Sequence, residues 1–351
     1  MKRRLMWGEH TDMKILNTAI IGCGSISGNH AGAIAGLGTS RLYAVCDTDG
    51  KKAVDAVHKY DCNCFTDYRL MLEDKNIDVV HICTPHYLHA VMAIDAMKSG
   101  KHVLTEKPMA VSVAEALEMN RVSKETGMTL GVCFQNRYNA TSLRIREVLQ
   151  SGKAGRLLGA KAIVTWNRKG KYYTESDWRG KRETEGGGVL INQAIHTLDL
   201  MQWFMGDIDG IQAHVDTRLL KEIIDVEDTA DATISFVNGS SLLFFASNNY
   251  VTDAPIEIEI ICEKAVMRLQ EKLTIKYSDG TVEEVHENDK ATGEKAYWGR
   301  SHQRLIRDFH NSLFEGRTFD LTGEQGITAI KIIDAIYRSS KAKIQVPLSH
   351  F

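Results

Sequence analysis

A short apolar run, residues 15–21, leads directly into Gly22-Cys23-Gly24-Ser25-Ile26-Ser27-Gly28, and residues 29–37 then have helical spacing. A strand, a glycine-rich turn and a helix in this order suit a pyrophosphate, because glycines allow close approach and the helix amino end favours negative charge. Position 27 is serine, and Gly28 comes one place after the usual third glycine. We favour a dinucleotide site over a turn without a ligand.

A predicted second strand, residues 41–46, is followed by Asp47. A carboxylate at this distance from the glycine turn is suited to bind the ribose of a dinucleotide. Because it would repel a 2′-phosphate, it favours NAD over NADP. Lys51 and Lys52 lie close by and soften that preference. We therefore predict NAD as the cofactor, with NADP as the alternative.

Strands and helices alternate throughout the first part of the chain. Further strands are predicted over residues 79–83, 102–105 and 128–133, and further helices over 51–59, 88–99 and 113–126. This alternation indicates a parallel sheet with right-handed crossovers. We assign residues 14–137 to a dinucleotide-binding Rossmann domain. Residues 1–13 are polar and without periodicity, and we predict a disordered leader there.

The pattern changes after position 137. A helix over 139–150, a strand over 157–166 and a long helix over 187–205 precede an antiparallel series of strands. Asn238-Gly239 predicts a type I′ hairpin, and Asp279-Gly280 predicts a second turn. Helices over 302–314 and 323–340 close the chain. The fold class is thus α/β plus α+β, with a large, mostly antiparallel sheet in residues 138–351, assigned to substrate binding and oligomerisation.

The stretch Val103-Leu104-Thr105-Glu106-Lys107-Pro108 ends a predicted core strand with an amine. Ligands of open α/β sheets bind at the carboxyl ends of the strands. Lys107 is therefore either a solvated surface residue or a partly desolvated amine suited to proton transfer.

Asn192, His196 and Asp199 have the spacing of one helix face and follow three glycines, 186–188. An amide, an imidazole and a carboxylate are costly to bury unless they face a cavity or bond one another. His196 is either a core histidine held by Asp199 or a proton donor and acceptor facing a substrate. We favour the second interpretation.

Aromatic rings and arginines alternate just before that helix. This segment fits a sugar or nucleotide-sugar, because ring faces stack on sugars and guanidinium groups bind carboxylate or phosphate. An ordinary surface loop explains it equally well. The residues are Trp166, Arg168, Tyr172, Tyr173, Trp178 and Arg179.

Composition narrows the class of protein further. A net charge of −2 argues against a nucleic-acid partner, and no apolar run is long enough to span a bilayer. The seven cysteines have no zinc-site spacing and suggest reduced thiols in a cytoplasm. We predict a cytoplasmic enzyme without a metal or a membrane contact.

Taken in order, these motifs resemble the glucose–fructose oxidoreductase / inositol dehydrogenase / rhizopine-catabolism (Gfo/Idh/MocA) family from residue 14 to about residue 347. The residues that carry the resemblance are Gly22-Cys23-Gly24, Thr84-Pro85, Leu88-His89, Glu106-Lys107-Pro108, Gly186-Gly187-Gly188, His196 and Asp199.

The resemblance implies NAD(P)-linked oxidation or reduction of a sugar, polyol or derivative, in a homodimer or homotetramer. Lys107 and His196 match residues that serve the substrate hydroxyl, with Asn192 as the third catalytic residue. Asn192 stands where the family often has aspartate, and an amide cannot take a proton. His196 or Lys107 must then do more of the acid–base work.

The resemblance also implies two sets of binding residues. Those for the cofactor are Gly22, Gly24, Ser25, Ile26, Asp47, Thr84, Pro85, His89, Glu106 and Lys107. Those for the substrate are Tyr172, Trp178, Arg179, Asn192 and Asp199, and they are similar to the branch with UDP-sugar-acid 3-dehydrogenases.

Two other functions stay open. The same fold can cleave glycosides with NAD through transient oxidation at C3, in which case the hydride returns. A nucleotide-binding regulator or sugar sensor without catalysis is also compatible with the fold, although it has no need of both Lys107 and His196.

Overall fold

The structure is a computed structural model that describes residues 15–287 and 301–348. The predicted disordered leader, residues 1–13, lies outside the described residues.

The first domain is built on a six-stranded parallel sheet of order β3-β2-β1-β4-β5-β6, which confirms the Rossmann prediction. Its core strands are apolar and buried on both faces, as expected for a parallel sheet covered by helices. The strands are β1 Leu16–Ile21, β2 Ser40–Cys46, β3 Asn63–Phe65, β4 Val79–Ile82, β5 His102–Thr105 and β6 Leu130–Val132. The helices are α1 Ser27–Ala35, α2 Gly50–Tyr60, α3 Tyr68–Leu72, α4 His86–Lys98 and α5 Val113–Thr126.

The second domain contains a nine-stranded sheet of order β14-β13-β12-β11-β7-β10-β9-β8-β15. Its neighbours are antiparallel except β7 and β10, which run parallel. The predicted large, mostly antiparallel sheet is thus confirmed. The strands are β7 Leu157–Thr165, β8 Ile208–Asp216, β9 Thr229–Phe236, β10 Ser241–Ser247, β11 Glu257–Cys262, β12 Ala265–Leu269, β13 Leu273–Tyr277, β14 Val282–Val285 and β15 Val346–Pro347.

Helices cover one side of this sheet and return to the first domain. In the structure α11 packs against α1, and α12 packs against both α5 and β8. None of the described helices is both long and apolar enough to cross a membrane. The helices are α6 Ala140–Gln150, α7 Gly170–Thr174, α8 Arg182–Glu185, α9 Val189–Asn192, α10 Ile195–Met205, α11 Ser301–Glu315 and α12 Gly323–Ala342.

The predicted hairpin at Asn238-Gly239 is confirmed, since β9 and β10 pair antiparallel on either side of it, but its predicted type I′ turn is wrong. Only Gly239 has a positive φ there, at 83°, whereas a type I′ turn needs positive φ at both central residues. The Gly239 N–H donates to the carbonyl of Phe236, and the Phe236 N–H donates to that of Ser240. Asn238 instead uses its side-chain oxygen to accept from the Ser240 N–H at 3.0 Å. The result is a longer loop that ends in a left-handed glycine.

The prediction of one long helix over residues 187–205 is also wrong, since α9 ends at Asn192 and α10 begins at Ile195. At the break, the N–H groups of Gln193 and Ala194 both donate to the carbonyl of Val189. This widens the helical turn, an irregularity that is frequent at functional sites. Asn192 and His196 therefore lie on two separate helices.

Candidate active site

A cleft of about 1710 Å³ lies where the carboxyl ends of β1, β2, β4 and β5 face the α7–α9 region of the second domain. A pocket for one drug-sized ligand measures roughly 300–1,000 Å³. The cleft therefore has room for a cofactor and a substrate together.

The glycine turn forms one end of this cleft. Gly22 has a φ of +94°, and a Cβ atom there would lie 2.6 Å from the carbonyl oxygen of Cys83, so only glycine fits. A Cβ atom at Gly24 would meet no atom within 4 Å, which leaves an open backbone surface in the cleft. Helix α1 begins beside it with no side-chain cap at Ile26. The N–H groups of Ser27 and Asn29 donate to the carbonyls of Gly24 and Ile26, but the uncapped amino end of the helix still faces the cleft, where its positive dipole end favours a pyrophosphate.

Asp47 lies at the end of β2 and lines the same end of the cleft. Its carboxylate accepts the Cys23 N–H at 2.8 Å and the Asp49 N–H at 2.9 Å. These bonds fix the carboxylate next to the glycine turn, where a ribose would lie. Lys52 also lines this region, 3.6 Å from Asp49.

Thr84, Pro85 and His89 follow β4, and all three line the cleft. Both ring nitrogens of His89 contact backbone carbonyls, of Pro108 at 2.7 Å and of Thr84 at 2.9 Å. Burial lowers the pKa of His89, which is 1% exposed. His89 therefore braces the loops after β4 and β5 against one another.

Glu106 follows β5 directly, and its carboxylate is almost fully buried. One oxygen lies 2.9 Å from His30 Nε2 and 3.4 Å from His302 Nε2, and the other accepts the Lys107 N–H. Burial would raise the pKa of Glu106, but the hydrogen bond from His30 and the nearby imidazole of His302 outweigh it and hold the pKa well below the usual range. Glu106 is therefore an ionised group at the edge of the cleft.

His30, Glu106 and Cys133 have donor atoms within 4.8 Å of one another, a spacing that a metal ion could use. His30 and Glu106 are, however, bonded to each other at 2.9 Å. Burial and the nearby Glu106 raise the pKa of the Cys133 thiol well above its usual value, which disfavours the thiolate that binds metals. We interpret these three residues as a hydrogen-bonded cluster.

Lys107 reaches across the cleft to the second domain. Its Nζ donates to the backbone carbonyl of Asn192 at 3.0 Å, over a sequence separation of 85 residues. The glycine turn and this lysine thus belong to the same cleft.

His196 enters the cleft from the first turn of α10 and is 6% exposed. Gln135 Nε2 lies 3.4 Å from His196 Nε2. Burial, and then the positive charge of Lys107, hold the pKa of His196 well below its usual value. The imidazole is therefore neutral near pH 7 and able to accept a proton. The lysine and the histidine of the sequence prediction line one cleft, and the positive charge of Lys107 acts on His196.

Asn192 also lines the cleft, and its amide donates to Glu185 Oε1 and to the Tyr172 hydroxyl. Sequence reasoning missed Glu185. This residue is 1% exposed, and burial raises its pKa to about 7, although bonds from Gly180 and Asn192 oppose the rise. A carboxylate three positions after an unremarkable arginine gave no signal in the sequence.

Asp199, which we expected to contact substrate, lies outside the residues that line the cleft. Its two oxygens form a bidentate pair with Arg137 at 2.6 and 2.9 Å, and it is 2% exposed. Burial raises the pKa of Asp199, while Arg137 opposes that rise. The structure places Asp199 as a link between α10 and the residues after β6.

Five of the six aromatic and arginine residues line the second-domain side of the cleft: Trp166, Arg168, Tyr172, Trp178 and Arg179. Tyr173 does not, because its ring is buried and its hydroxyl accepts from Asn248 at 2.9 Å. The Arg179 guanidinium lies 4.5 Å from the Tyr172 ring centre and 5.0 Å from that of Trp178. Arg168 pairs with Asp253 at 2.9 Å. Arg179 differs, because no acidic oxygen lies within 4.0 Å of it among residues 15–287 and 301–348, and its buried Nε has no partner there.

Sequence reasoning also missed Gln135 and His302, which line the cleft, and it noted Gln193 only as part of the resemblance, without a role. Gln193 and Gln135 follow recognised motifs but have no pattern of their own. His302 reaches the cleft from α11, almost 200 positions after Glu106, so that only the packed structure connects the two.

A Rossmann sheet with an open glycine turn, and a cleft that holds an amine and an imidazole, define a dinucleotide-dependent oxidoreductase. Residues 16–134 match the oxidoreductase family with an NAD-binding Rossmann fold, and residues 142–268 match the GFO/IDH/MocA C-terminal domain. The chain belongs to the Gfo/Idh/MocA family, as the sequence motifs predicted. It is an NAD-binding member, which confirms the predicted cofactor.

Individual relatives match this chain over nearly its full length. D-glucoside 3-dehydrogenase of Escherichia coli is 26% identical, covering 95% of this chain and 97% of its own. The WlbA dehydrogenase of Bordetella pertussis, solved with NADH and UDP-GlcNAcA, is 28% identical with a TM-score of 0.83, covering 95% of this chain and 99% of its own. Levoglucosan dehydrogenase, solved with NADH and levoglucosan, has a TM-score of 0.87 at 23% identity, covering 96% of this chain and 100% of its own, and supports the fold.

Proposed function

We propose that the protein transfers a hydride between nicotinamide and a hydroxyl-bearing ring carbon of a sugar, a polyol such as inositol, or a nucleotide-sugar. The observation that carries this proposal is the common cleft of Gly24, Lys107 and His196. The names of relatives that act on sugars support the substrate class.

The cofactor supplies the hydride acceptor or donor, and the protein places the reactants in register. His196, neutral because its pKa is lowered, accepts the hydroxyl proton when the substrate is oxidised. Lys107 hydrogen-bonds the same oxygen and stabilises the charge that develops there. The carbonyl of Asn192 holds the Lys107 ammonium at 3.0 Å, so Asn192 acts by positioning the lysine.

On the cofactor side, the open backbone at Gly24 and the first turn of α1, with Ser25 and Ile26, suit the pyrophosphate. Asp47 suits the adenosine ribose, while Thr84, Pro85 and the ionised Glu106 lie where the nicotinamide half would follow. Tyr172, Trp178 and Arg179 then remain for the substrate.

Arg179 favours a substrate with a negative charge, since a guanidinium without an acidic partner can bind a carboxylate or a phosphate. The complex of WlbA with UDP-GlcNAcA is compatible with this choice. We expect Arg179→Gln to raise the KM for an anionic sugar at least tenfold, about 1.4 kcal/mol. The KM for a neutral polyol measured on the same variant is the control. An equal change for both substrates would contradict a charge-specific role.

The proposed reaction is tested by following NADH formation against a panel of inositols, free sugars and UDP-sugar acids, and by repeating it with NADP. Net accumulation of NADH with at least one of these is expected. If product forms while NADH does not accumulate, the glycoside-cleaving alternative holds. Failure across the whole panel would favour a sensor.

We further propose that the outer face of the nine-stranded sheet joins copies of the chain. Leu243 is 63% and Ile261 is 41% exposed on this face, an arrangement that favours burial in a partner. We expect light scattering to give a homodimer or homotetramer of the 39.2 kDa chain, and Leu243→Lys to shift it towards the monomer. A monomeric unmodified protein would exclude this interface.

A cytoplasmic location remains part of the proposal.

A further inference from the structure

Glu185 is a buried carboxyl group in contact with the substrate side of the cleft. It is 1% exposed and is not itself among the residues that line the cleft. One oxygen, Oε1, accepts from the Asn192 amide, and the other, Oε2, accepts from the Gly180 N–H. Its backbone carbonyl accepts from His86 Nδ1 at 2.9 Å, at the start of α4. Glu185 therefore joins α9, the loop at Gly180 and the first domain.

The ionised form of this carboxyl group fixes the orientation of the Asn192 side chain. An ionised carboxylate can only accept hydrogen bonds, so the Asn192 group that faces it must be the NH₂. The second N–H of this group donates to the Tyr172 hydroxyl at 3.3 Å. Both N–H groups are thus used inside the protein, and no described residue donates to Asn192 Oδ1. Because Asn192 is half-buried and lines the cleft, this oxygen is the atom that it offers to a substrate.

The Tyr172 hydroxyl fits the same arrangement. It accepts from Asn192 and, at 3.5 Å, from Gln193 Nε2. The Gln193 amide is itself fixed, because its Oε1 accepts from Asn248 at 3.0 Å. With two N–H groups directed at its oxygen, Tyr172 keeps its own proton for the cleft, which it also lines. The substrate side thus offers one acceptor, Asn192 Oδ1, and one donor, the Tyr172 O–H.

One proton from solvent on Glu185 reverses this arrangement. Oε2 still has to accept the Gly180 N–H, so the proton lies on Oε1, which becomes a donor. Asn192 must then turn its amide over and accept through Oδ1, and its NH₂ group enters the cleft. The Tyr172 hydroxyl donates to the same Oδ1 and no longer to the cleft. The O–H bond of Glu185 is the only covalent bond formed.

We propose that Glu185 is a positioning residue that sets, through Asn192, whether the substrate side of the cleft accepts or donates a hydrogen bond. This role rests on the proposed function, because it selects among the sugars and polyols of that reaction. With Glu185 ionised, the substrate must present a donor, such as a hydroxyl or an N–H, to Asn192 Oδ1. An ether oxygen or a carboxylate in that place would leave two acceptors facing each other, which is costly away from water.

The charges around Glu185 determine the pH at which the reversal occurs. Burial raises the pKa of Glu185 to about 7, although the hydrogen bonds from Gly180 and Asn192 oppose the rise. As the pH falls through this value the carboxyl group becomes neutral, and Asn192 should turn. The charged and titratable groups that face Glu185 or Asn192 are Arg179, Glu227, Tyr172, Tyr173, His86 and Lys107.

The first experiment needs no substrate and is therefore independent of the proposed function. Selective ¹³C labelling of glutamate carboxyl carbons follows each glutamate of the full, ligand-free chain between about pH 4 and 9. We expect one signal with a midpoint of about 7 that is lost in Glu185→Gln. The side-chain ¹⁵N signals of Asn192, assigned by their loss in Asn192→Asp, should move with the same midpoint.

Glu183→Gln, an exposed glutamate of the same helix, is the matched control and should keep the signal. The proposal is excluded if the signal lost in Glu185→Gln titrates near the ordinary glutamate value of about 4.3, or if the Asn192 signals do not follow it. This outcome is reached even when no sugar of the NADH panel is a substrate, in which case the proposed function fails separately.

The second experiment uses Glu185→Gln as a mimic of the protonated state. The new amide must direct its oxygen to the Gly180 N–H and its NH₂ to Asn192, so Asn192 should stay turned at every pH. In the unmodified protein, the ionised fraction of Glu185 rises about tenfold between pH 6 and 8. For the best substrate of the panel, we therefore expect KM to fall about tenfold over this range. In the variant KM should stay high, while the ratio of the two kcat values should not depend on pH.

Exchange of the two side chains tests the same role by rescue. When Glu185→Gln is combined with Asn192→Asp, the amide at position 185 donates to the carboxylate at position 192. The other oxygen of that carboxylate then faces the cleft as an acceptor, and KM should return to the low value at both pH 6 and pH 8. A double variant with a high KM, or a KM in Glu185→Gln that varies with pH as in the unmodified protein, would overturn the proposal. A change in thermal stability alone would also contradict it.

Discussion

Lys107→Met should reduce turnover by at least ~10²–10⁴-fold while NAD binding survives. The variant removes the ammonium that lies 3.0 Å from the Asn192 carbonyl, and with it the group that we propose binds the reacting hydroxyl. The glycine turn and the first turn of α1 are untouched, so the affinity for NAD should change little. Stopped-flow NADH formation measures the first effect, and calorimetric titration with NAD measures the second.

Lys98→Met is a matched control, because Lys98 is an exposed lysine at the end of α4 and the charge change is the same. It should leave both quantities within a factor of two. Full turnover in Lys107→Met would refute the role assigned to the lysine. A parallel loss of NAD binding would instead indicate that Lys107 supports the cofactor site.

The first domain could be predicted because its signals are local. Each strand of residues 79–83 and 102–105 ends in polar residues within a few positions, and the glycine turn directly follows β1. The strands missed there and in the second domain are either very short or interrupted. Examples are β3, with three residues, and β8, which contains a glycine and two aspartates.

Within the candidate site, only the residues that belong to recognisable sequence motifs could be predicted. Lys107 and His196 were found because each follows a recognisable pattern, and the cleft brings them together. Helical spacing alone predicted that Asn192, His196 and Asp199 share one face of a single helix. This is wrong, because the helix breaks at Gln193. Spacing also could not indicate that Arg137 takes both oxygens of Asp199.

The sequence could not predict the contacts between residues that are far apart in the chain and meet only when it packs. Glu106 is bonded to His30 of α1 and lies 3.4 Å from His302 of α11, and no local pattern links these helices. Burial then sets the chemistry, because the same desolvation that lowers the pKa of His196 raises that of Glu185 to about 7. Both effects depend on neighbours that are known only once the chain has folded.

His196→Gln should reduce alcohol oxidation by ~10²–10⁴-fold, since the amide keeps a polar side chain but accepts no proton. The pKa of His196 in the unmodified protein is held well below its usual 6.5 by burial and by Lys107. The base is therefore still neutral at pH 6.5, and loss of its neutral form should reduce the rate only at a pH well below that value. In the variant, hydroxide must replace the base, so the residual rate should rise about tenfold per pH unit.

The pH dependence separates catalysis from a structural effect of the substitution. His214→Gln, on the exposed side of β8, is the control and should keep the profile of the unmodified protein. If His196→Gln lowered the rate by the same factor at every pH between 6 and 9, the histidine would position the substrate without taking its proton. Lys107 would then be left as the group that accepts the proton, because the amide of Asn192 cannot.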